Sequence, residues 1–94
     1  MYNIEFKNSV KRDFKNINKS DIAYIRDSLS EFANNFCSEY EKILMKKGKI
    51  KKLQGQKEEL YRLKLRSYRV IYKKYEDRLV ILVVHITSRE GAYN

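Results

Sequence analysis

The segment from Tyr61 to Tyr72 constrains the fold of this chain more than any other stretch. In a β-strand, successive side chains point to opposite faces of the sheet. The first part of the segment alternates in this way, with cations at Arg62, Lys64 and Arg66 and apolar residues at Tyr61, Leu63 and Leu65. Like charges side by side on a rigid sheet repel each other. The pattern therefore predicts a basic sheet face that binds a polyanion, of which nucleic acid is the commonest.

The positive charge of the chain is concentrated in its second half. The 94 residues carry a formal net charge of +9. Residues 1–41 hold six Lys or Arg and seven Asp or Glu, a net charge of −1. Residues 42–94 hold fifteen Lys or Arg and five Asp or Glu, a net charge of +10. This asymmetry favours a polyanionic partner. An anionic membrane is the alternative, and it is disfavoured because the basic half is predicted to be sheet and not an amphipathic helix.

One short strand and two helices are predicted in the first half. Alternation over residues 2–6 is typical of a half-buried strand. A first helix is predicted to begin at a cap formed by Asn8 or Ser9, and a longer one at a cap formed by Ser20 or Asp21. The apolar stripe of the longer helix has helical spacing, so we assign it to the core.

Helicity is predicted to continue to Leu44 after a break near Asn34-Asn35. Cys37 lies in this region, and its neighbours predict a buried helical position for an inert thiol. A lone cysteine cannot form an internal disulfide and fits a reducing compartment. Since His85 is the only histidine, the chain offers no metal site of ordinary ligand type, and no cofactor is expected.

Three strands are predicted to follow, over residues 59–66, 68–75 and 79–86. Ser67 falls at the first turn, and Glu76-Asp77 forms the second turn without the glycine that such turns favour. The last strand is apolar on both faces, which is typical of a central strand covered on both sides.

We therefore predict a single α+β domain over residues 1–94, with the element order β-α-α-β-β-β. Two helices would cover one face of a mostly antiparallel four-stranded sheet, and the other face would carry the basic row. Residues 46–52 hold five lysines and are predicted to form a mobile electrostatic loop beside that face. No leader peptide or bilayer-spanning run is visible, so a cytoplasmic location without membrane contact is expected.

Residues 52–93 carry a family resemblance. They combine the loop Lys52-Leu53-x-Gly55, the hairpin YRLKLRSYRVIY, the strand VILVVHI and the tail Arg89-xxx-Tyr93. Together with the element order, these features resemble the RelE/ParE superfamily of bacterial type II toxins over essentially the whole chain. The resemblance implies a compact toxin that a co-expressed antitoxin neutralises. In the RelE branch the toxin is a ribosome-dependent endoribonuclease that cuts mRNA in the ribosomal A site, and in the ParE branch it inhibits DNA gyrase.

The resemblance also implies roles for particular residues. The matched positions are Arg62 and Lys64 for two basic active-site residues, Arg69 for the arginine after the turn, and Arg89 and Tyr93 for the tail. Retention of this set favours the nuclease branch, with gyrase inhibition as the alternative. There are two departures: Ser88 replaces the histidine of many relatives, and a single residue follows Tyr93, so any C-terminal helix is missing or very short.

RNA cleavage without a metal requires a base for the 2′-OH, charge stabilisation at the phosphate, and protonation of the leaving 5′-oxygen. Neighbouring cations disfavour the charged form of a lysine, so Lys64 is the predicted general base. Arg69 would hold the phosphate through a bidentate fork. Arg89 would stabilise charge at the scissile phosphate or leaving oxygen. Tyr93 would stack on a base or orient the 2′-OH.

Other cations are expected to bind RNA without taking part in the chemistry. They are Arg62, Arg66, Lys52 and Lys73. Lys74 is assigned a simple contact with phosphate or antitoxin. His85 is expected to be a buried or edge residue with a hydrogen-bonded ring, with a catalytic role as the less favoured alternative. Because these residues are weak proton donors and acceptors, the ribosome would have to hold the message in the in-line geometry for attack. A third hypothesis is a basic nucleic-acid-binding module without toxicity, whose binding would depend steeply on salt.

Overall fold

The computed structural model describes residues 1–88, and Arg89 to Asn94 lie outside the described residues. The elements in chain order are β1 (Asn3–Phe6), α1 (Asn8–Phe14), α2 (Lys19–Asn35), α3 (Ser38–Lys46), β2 (Ile50–Lys52), β3 (Tyr61–Leu65), β4 (Tyr68–Tyr75) and β5 (Val80–Ser88). The strands form one sheet in the order β1-β5-β4-β3-β2. Only the β1–β5 pair is parallel among these described strands. The predicted α+β class is confirmed, although the described residues form one more helix and one more strand than expected.

The additional strand lies in the segment that was predicted to be a mobile lysine-rich loop. Gly48, with φ 77, follows the end of α3, and the backbone N–H of Lys49 donates to the carbonyl of Leu44 at 2.9 Å. The chain then enters β2, whose first residue, Ile50, is buried and pairs with Leu63. One apolar side chain among the lysines is sufficient to dock the segment at the edge of the sheet. The loop prediction was therefore wrong for this segment.

The helix boundaries differ from the predicted caps by one to three residues. The N-cap of α2 is Asn18, whose side-chain oxygen accepts a hydrogen bond from the backbone N–H of Asp21 at 2.8 Å. The prediction of Ser20 or Asp21 was wrong because several capping residues are adjacent there and only one takes the extended backbone conformation. α1 begins after Lys7, which makes no side-chain cap. The Asn8 or Ser9 cap was therefore also wrong.

The predicted break in the long helix falls at Phe36 and Cys37, and it begins the separate helix α3. Cys37 is exposed and is the N-cap of α3, with its Sγ accepting from the backbone N–H of Tyr40 at 3.4 Å. The buried helical position predicted for Cys37 was wrong because the apolar stripe of α2 ends one residue earlier, at the buried Phe36.

The core lies between the helices and one face of the sheet. Its central side chain is the fully buried Tyr72, which makes ring contacts with Phe32, Phe36 and Tyr61. Aromatic rings in these edge-to-face and stacked arrangements bury a large apolar area. The apolar half of the alternating hairpin is therefore the sheet side of the core, as predicted.

A buried ionic network crosses this core. Glu41 of α3 is 5 % exposed, and it accepts hydrogen bonds from the Tyr72 hydroxyl at 2.9 Å and from Lys74 Nζ at 2.6 Å. Burial, with Glu41 beside it, raises the pKa of Tyr72 far above its ordinary value. Burial is the largest single influence on Lys74 and opposes its charge, but the hydrogen bond to Glu41 and the attraction of nearby negative charges together outweigh it and raise the pKa of that lysine. Lys74 therefore faces the helices and not the basic face, and its predicted contact with phosphate or antitoxin stays a prediction.

The turn between β4 and β5 contains a strained residue. Leu79 has φ 52, a left-handed conformation that costs a non-glycine residue about 1–2 kcal/mol. Its side chain is 44 % exposed, so little packing is lost when it is removed. We expect Leu79→Gly to stabilise the protein by about 0.5–1 kcal/mol, which corresponds to a rise in Tm of several degrees.

Thermal unfolding followed by circular dichroism measures this effect. Glu76→Gly is the matched control, since Glu76 lies in the same turn and has a negative φ. Glycine there adds only unfolded-state entropy and should lower the Tm. Equal shifts of Tm in the two variants would contradict strain at Leu79.

Candidate nucleic-acid interface

The sheet face opposite α2 and α3, called here the outer face, gathers cations from three strands. Side chains of directly paired residues lie on the same side of a sheet. Lys51 of β2 pairs with Arg62 of β3, and Lys64 of β3 pairs with Arg69 of β4. Lys73 of β4 lies on the same side, as the strand alternation requires. The alternation in the sequence therefore produces a basic surface that continues across strand boundaries.

Lys64 and Arg69 form the centre of the outer face. Lys64 is exposed, and within residues 1–88 its ammonium has no ion pair or hydrogen bond. Arg69 donates from Nη1 to the carbonyls of Tyr68 at 3.0 Å and Arg66 at 3.3 Å, which orients its guanidinium at the hairpin turn. Side chains of such a pair start about 5 Å apart. An anion bound between them would relieve the repulsion of the two cations.

Arg62 lies beside this pair and is partly buried. It donates from Nη2 to the carbonyl of Gly48 at 3.3 Å. Its Nε is buried and has no hydrogen-bond partner within the described part of the chain. Next to it is a groove of about 310 Å³, also lined by Lys51, Leu53, Gln54 and Gln56. A buried donor without a partner is unfavourable, so the position of this side chain costs the fold some stability.

Arg66 does not continue the row of cations, contrary to the sequence prediction. β3 ends at Leu65, and Arg66 occupies the first position of the two-residue turn with φ 55. Its guanidinium carbon lies 3.6 Å from the ring centroid of Tyr24 on α2. The alternation of faces ends where the strand ends, so the side chain turns to the helical side.

Lys52 and Lys73 are each paired with an acidic residue. Lys52 pairs with Tyr61 in the sheet, which places it on the helical side, and its Nζ lies 3.3 Å from Glu59. Lys73 Nζ lies 2.9 Å from Glu58. This hydrogen bond lowers the pKa of Glu58 and raises the pKa of Lys73. Of the four predicted RNA-binding cations, Arg62 and Lys73 lie on the outer face, and Lys52 and Arg66 do not.

His85 also lies on the outer face. It pairs with Ile71, which in turn pairs with Arg62, so the three residues form one row across the sheet. The ring is hydrogen-bonded, as expected, with Nδ1 2.7 Å from Asp13 Oδ2, but the side chain is 53 % exposed and not buried. Residues 13 and 85 are far apart in sequence, and no local sequence pattern predicts their contact.

The remaining predicted site residues, Arg89 and Tyr93, lie outside the described residues. Among residues 1–88, no group of three or more His, Cys, Asp or Glu side chains is arranged to hold a metal ion. The helices in this part of the chain are all too short or too polar to cross a membrane.

Comparisons with known proteins show the family to which this fold belongs. Residues 4–93 match the family described as "ParE toxin of type II toxin-antitoxin system, parDE". The chain belongs to this ParE toxin family. Within the wider RelE/ParE superfamily it is a RelE-like toxin.

Two archaeal relatives of this ParE-family toxin match along nearly their whole length. A curated protein of Methanocaldococcus jannaschii, named "Putative toxin RelE1", is 29 % identical over 92 residues, which cover 98 % of this chain and 94 % of the relative. The toxin in the archaeal RelE-RelB complex of Pyrococcus horikoshii OT3 is 25 % identical, with a TM-score of 0.67 and coverage of 97 % of this chain and 98 % of that one.

A bacterial structure shares the fold at lower identity. The matching chain of the intact E. coli RelBE toxin-antitoxin complex is 20 % identical, with a TM-score of 0.66 and coverage of 94 % of this chain and 96 % of that one. At this identity the likeness concerns the fold of the ParE-family toxin alone.

Proposed function

We propose that this ParE-family toxin is a ribosome-dependent, metal-independent endoribonuclease that cleaves mRNA in the ribosomal A site and so inhibits translation. The observation that carries the proposal is the direct pairing of Lys64 with Arg69 on the outer face. A base and a phosphate-binding fork are thereby held side by side on rigid strands, as a nuclease requires. A gyrase inhibitor needs no such pair.

In the proposed reaction, the 2′-oxygen of the message attacks the adjacent phosphorus. Lys64 in its neutral form accepts the 2′ proton, and Arg69 stabilises the additional negative charge on the phosphate through two hydrogen bonds. Arg62 grips the RNA backbone. The roles of Arg89 at the scissile phosphate and Tyr93 on a base follow from the resemblance alone. The ribosome contributes the in-line geometry, which is worth several orders of magnitude in rate.

A cognate antitoxin is the second proposed partner. The solved relatives from Pyrococcus horikoshii and E. coli are toxin-antitoxin complexes, and both match this chain over nearly its whole length. Because this toxin is strongly basic, its antitoxin is expected to present acidic or helical segments to it.

Primer extension on a translated message tests the nuclease proposal. Purified toxin with ribosomes should produce new 5′ ends inside codons, and toxin without ribosomes should produce almost none. Boiled toxin and a message without a start codon are the controls. A message that remains intact with actively translating ribosomes would refute the proposal.

Gyrase inhibition is the alternative function, and the ParE name of the matched family favours it. A supercoiling assay with purified gyrase separates the two functions. Inhibited supercoiling together with intact messages would support the gyrase-inhibiting toxin, whereas cut messages and normal supercoiling would support the nuclease.

A further inference from the structure

The His85 ring is held in one orientation by α1. Asp13 Oδ2 lies 2.7 Å from His85 Nδ1 and accepts the backbone N–H of Ile86 at 2.9 Å. An ionised carboxylate only accepts hydrogen bonds, so Nδ1 is the donor in this contact. The Asp13 side chain is 16 % exposed and the His85 side chain is 53 % exposed. The second ring nitrogen, Nε2, is thus the atom left to act on a ligand.

This contact lies where β1 ends and α1 begins to cover the edge of β5. β1 ends at Phe6, opposite Val83. Beyond that point the Ser9 hydroxyl donates to the carbonyl of Val84 at 2.6 Å, and Asp13 accepts from the N–H of Ile86. An edge cap alone requires only an acceptor for that N–H. Capping the strand edge does not explain why the same carboxylate also contacts His85.

The position of His85 relative to the Lys64–Arg69 pair suits a reaction at one phosphate. Arg69 pairs with Thr87 of β5, and His85 lies two residues away on the same strand and the same face. Such diagonal neighbours are about 7–8 Å apart, within reach of long side chains. Strands are about 5 Å apart, so Lys64 on β3 and His85 on β5 approach a phosphate above Arg69 from opposite sides.

We infer that His85 is the general acid of the proposed cleavage reaction and that Asp13 is its positioning residue. The 2′-oxygen forms a bond to phosphorus and its proton passes to Lys64. The bond from phosphorus to the 5′-oxygen breaks, and the Nε2 proton of the His85 imidazolium passes to that oxygen. The products are a 2′,3′-cyclic phosphate and a 5′-hydroxyl. The inference rests on the proposed nuclease function and supplies the proton donor that Arg89, as a weak acid, does not.

The charged groups near His85 come from neighbouring elements. Asp13 approaches from α1, Arg69 of β4 lies diagonally across the sheet, and Arg62 of β3 lies beyond Ile71 in the same row.

His85→Asn separates catalysis from structure. Its amide N–H₂ lies near the position of Nδ1 and retains a donor for Asp13, but no group remains at the position of Nε2. Single-turnover cleavage on ribosomes should fall about 100-fold or more. The Tm and the affinity for ribosomes should not change. Cleavage at the wild-type rate would overturn the inference.

Asp13→Asn tests the positioning role. It should lower the cleavage rate, because the ring loses the carboxylate that fixes its orientation. Asp27→Asn on the exposed surface of α2 is the matched control and should leave the rate unchanged. If Asp13 acts through His85, the deficit should vanish on a message whose 5′-oxygen at the cut site is replaced by sulfur, since that leaving group needs no acid. A deficit of equal size on both messages would show that Asp13 is only an edge cap.

A message with sulfur in place of the 5′-oxygen at the cut site gives the sharpest test. A thiolate leaves without protonation because thiols are far stronger acids than alcohols. His85→Asn should cut this substrate at nearly the wild-type rate, whereas Lys64→Ala should remain slow. A histidine variant that stays slow overturns the inference alone. A wild-type toxin that cuts neither message overturns the nuclease function, and the inference with it.

Discussion

Replacing Arg69 by alanine should lower ribosome-dependent cleavage of mRNA by about 100-fold or more, the usual cost of removing one group that stabilises charge in a transition state. The reason for this loss is the fixed orientation of the Arg69 side chain. The Arg69 guanidinium is fixed by the carbonyls of Tyr68 and Arg66, and it lies opposite Lys64 in the sheet. The measurement is the single-turnover cleavage rate on programmed ribosomes.

Two further variants distinguish the paired hydrogen-bond donors of Arg69 from its positive charge. Arg69→Lys keeps the positive charge but not the planar pair of donors, and it should restore only a small part of the rate. Arg78→Ala removes one positive charge from the β4–β5 turn, at the opposite end of β4, where the guanidinium stacks on Tyr75. This control should cleave normally. If Arg69→Ala also cleaves normally, Arg69 has no role at the phosphate.

Replacing Glu41 by alanine should destabilise the fold by about 3–5 kcal/mol, because it leaves a buried charge without its partner. Glu41 accepts hydrogen bonds from Lys74 and Tyr72 inside the core. For a domain of this size each kcal/mol lowers the Tm by about 4–8 °C, so the loss should exceed about 12 °C. Equilibrium unfolding in urea at pH 7 measures the free energy directly.

The controls follow from the same physics. Glu39→Ala, in the first turn of the same helix, should cost less than about 1 kcal/mol. Replacing the whole network at once, by Glu41→Leu, Lys74→Met and Tyr72→Phe, should recover most of the stability. The pKa values of Tyr72 and Lys74 are both raised, so their contribution is complete at neutral pH and is lost only above about pH 10. A triple variant as unstable as Glu41→Ala would show that packing, not charge, is the source of the loss.

Sequence reasoning succeeded where a local period decides the structure. Alternation along residues 61–65 correctly placed Arg62 and Lys64 on one face of the sheet and Leu63 in the core, because a strand has no other way to arrange them. The same rule does not say where a strand stops. Arg66 was therefore assigned to the outer face, although it lies in the turn and stacks on Tyr24.

Contacts between distant residues could not be predicted in this way. The pairing of Glu41 with Lys74 and that of Asp13 with His85 join separate elements, and a single sequence carries no period that links them. Ile50 did carry a local signal, an apolar residue among lysines, but one residue is too few to establish a strand. The tail residues Arg89 and Tyr93 keep their predicted roles as hypotheses.

An acidic residue that precedes β3 makes the charge of the outer face uneven. Glu58 neutralises Lys73 at the end of the hairpin away from its turn, whereas Lys64 and Arg69 lie near the turn. The field on an approaching polyanion is thus strongest at one end and weak at the other. A phosphate chain drifting along the hairpin is drawn toward the Lys64–Arg69 pair instead of spreading evenly over the sheet. Charge spread evenly over the sheet would hold a polyanion in many registers, whereas an uneven charge favours one.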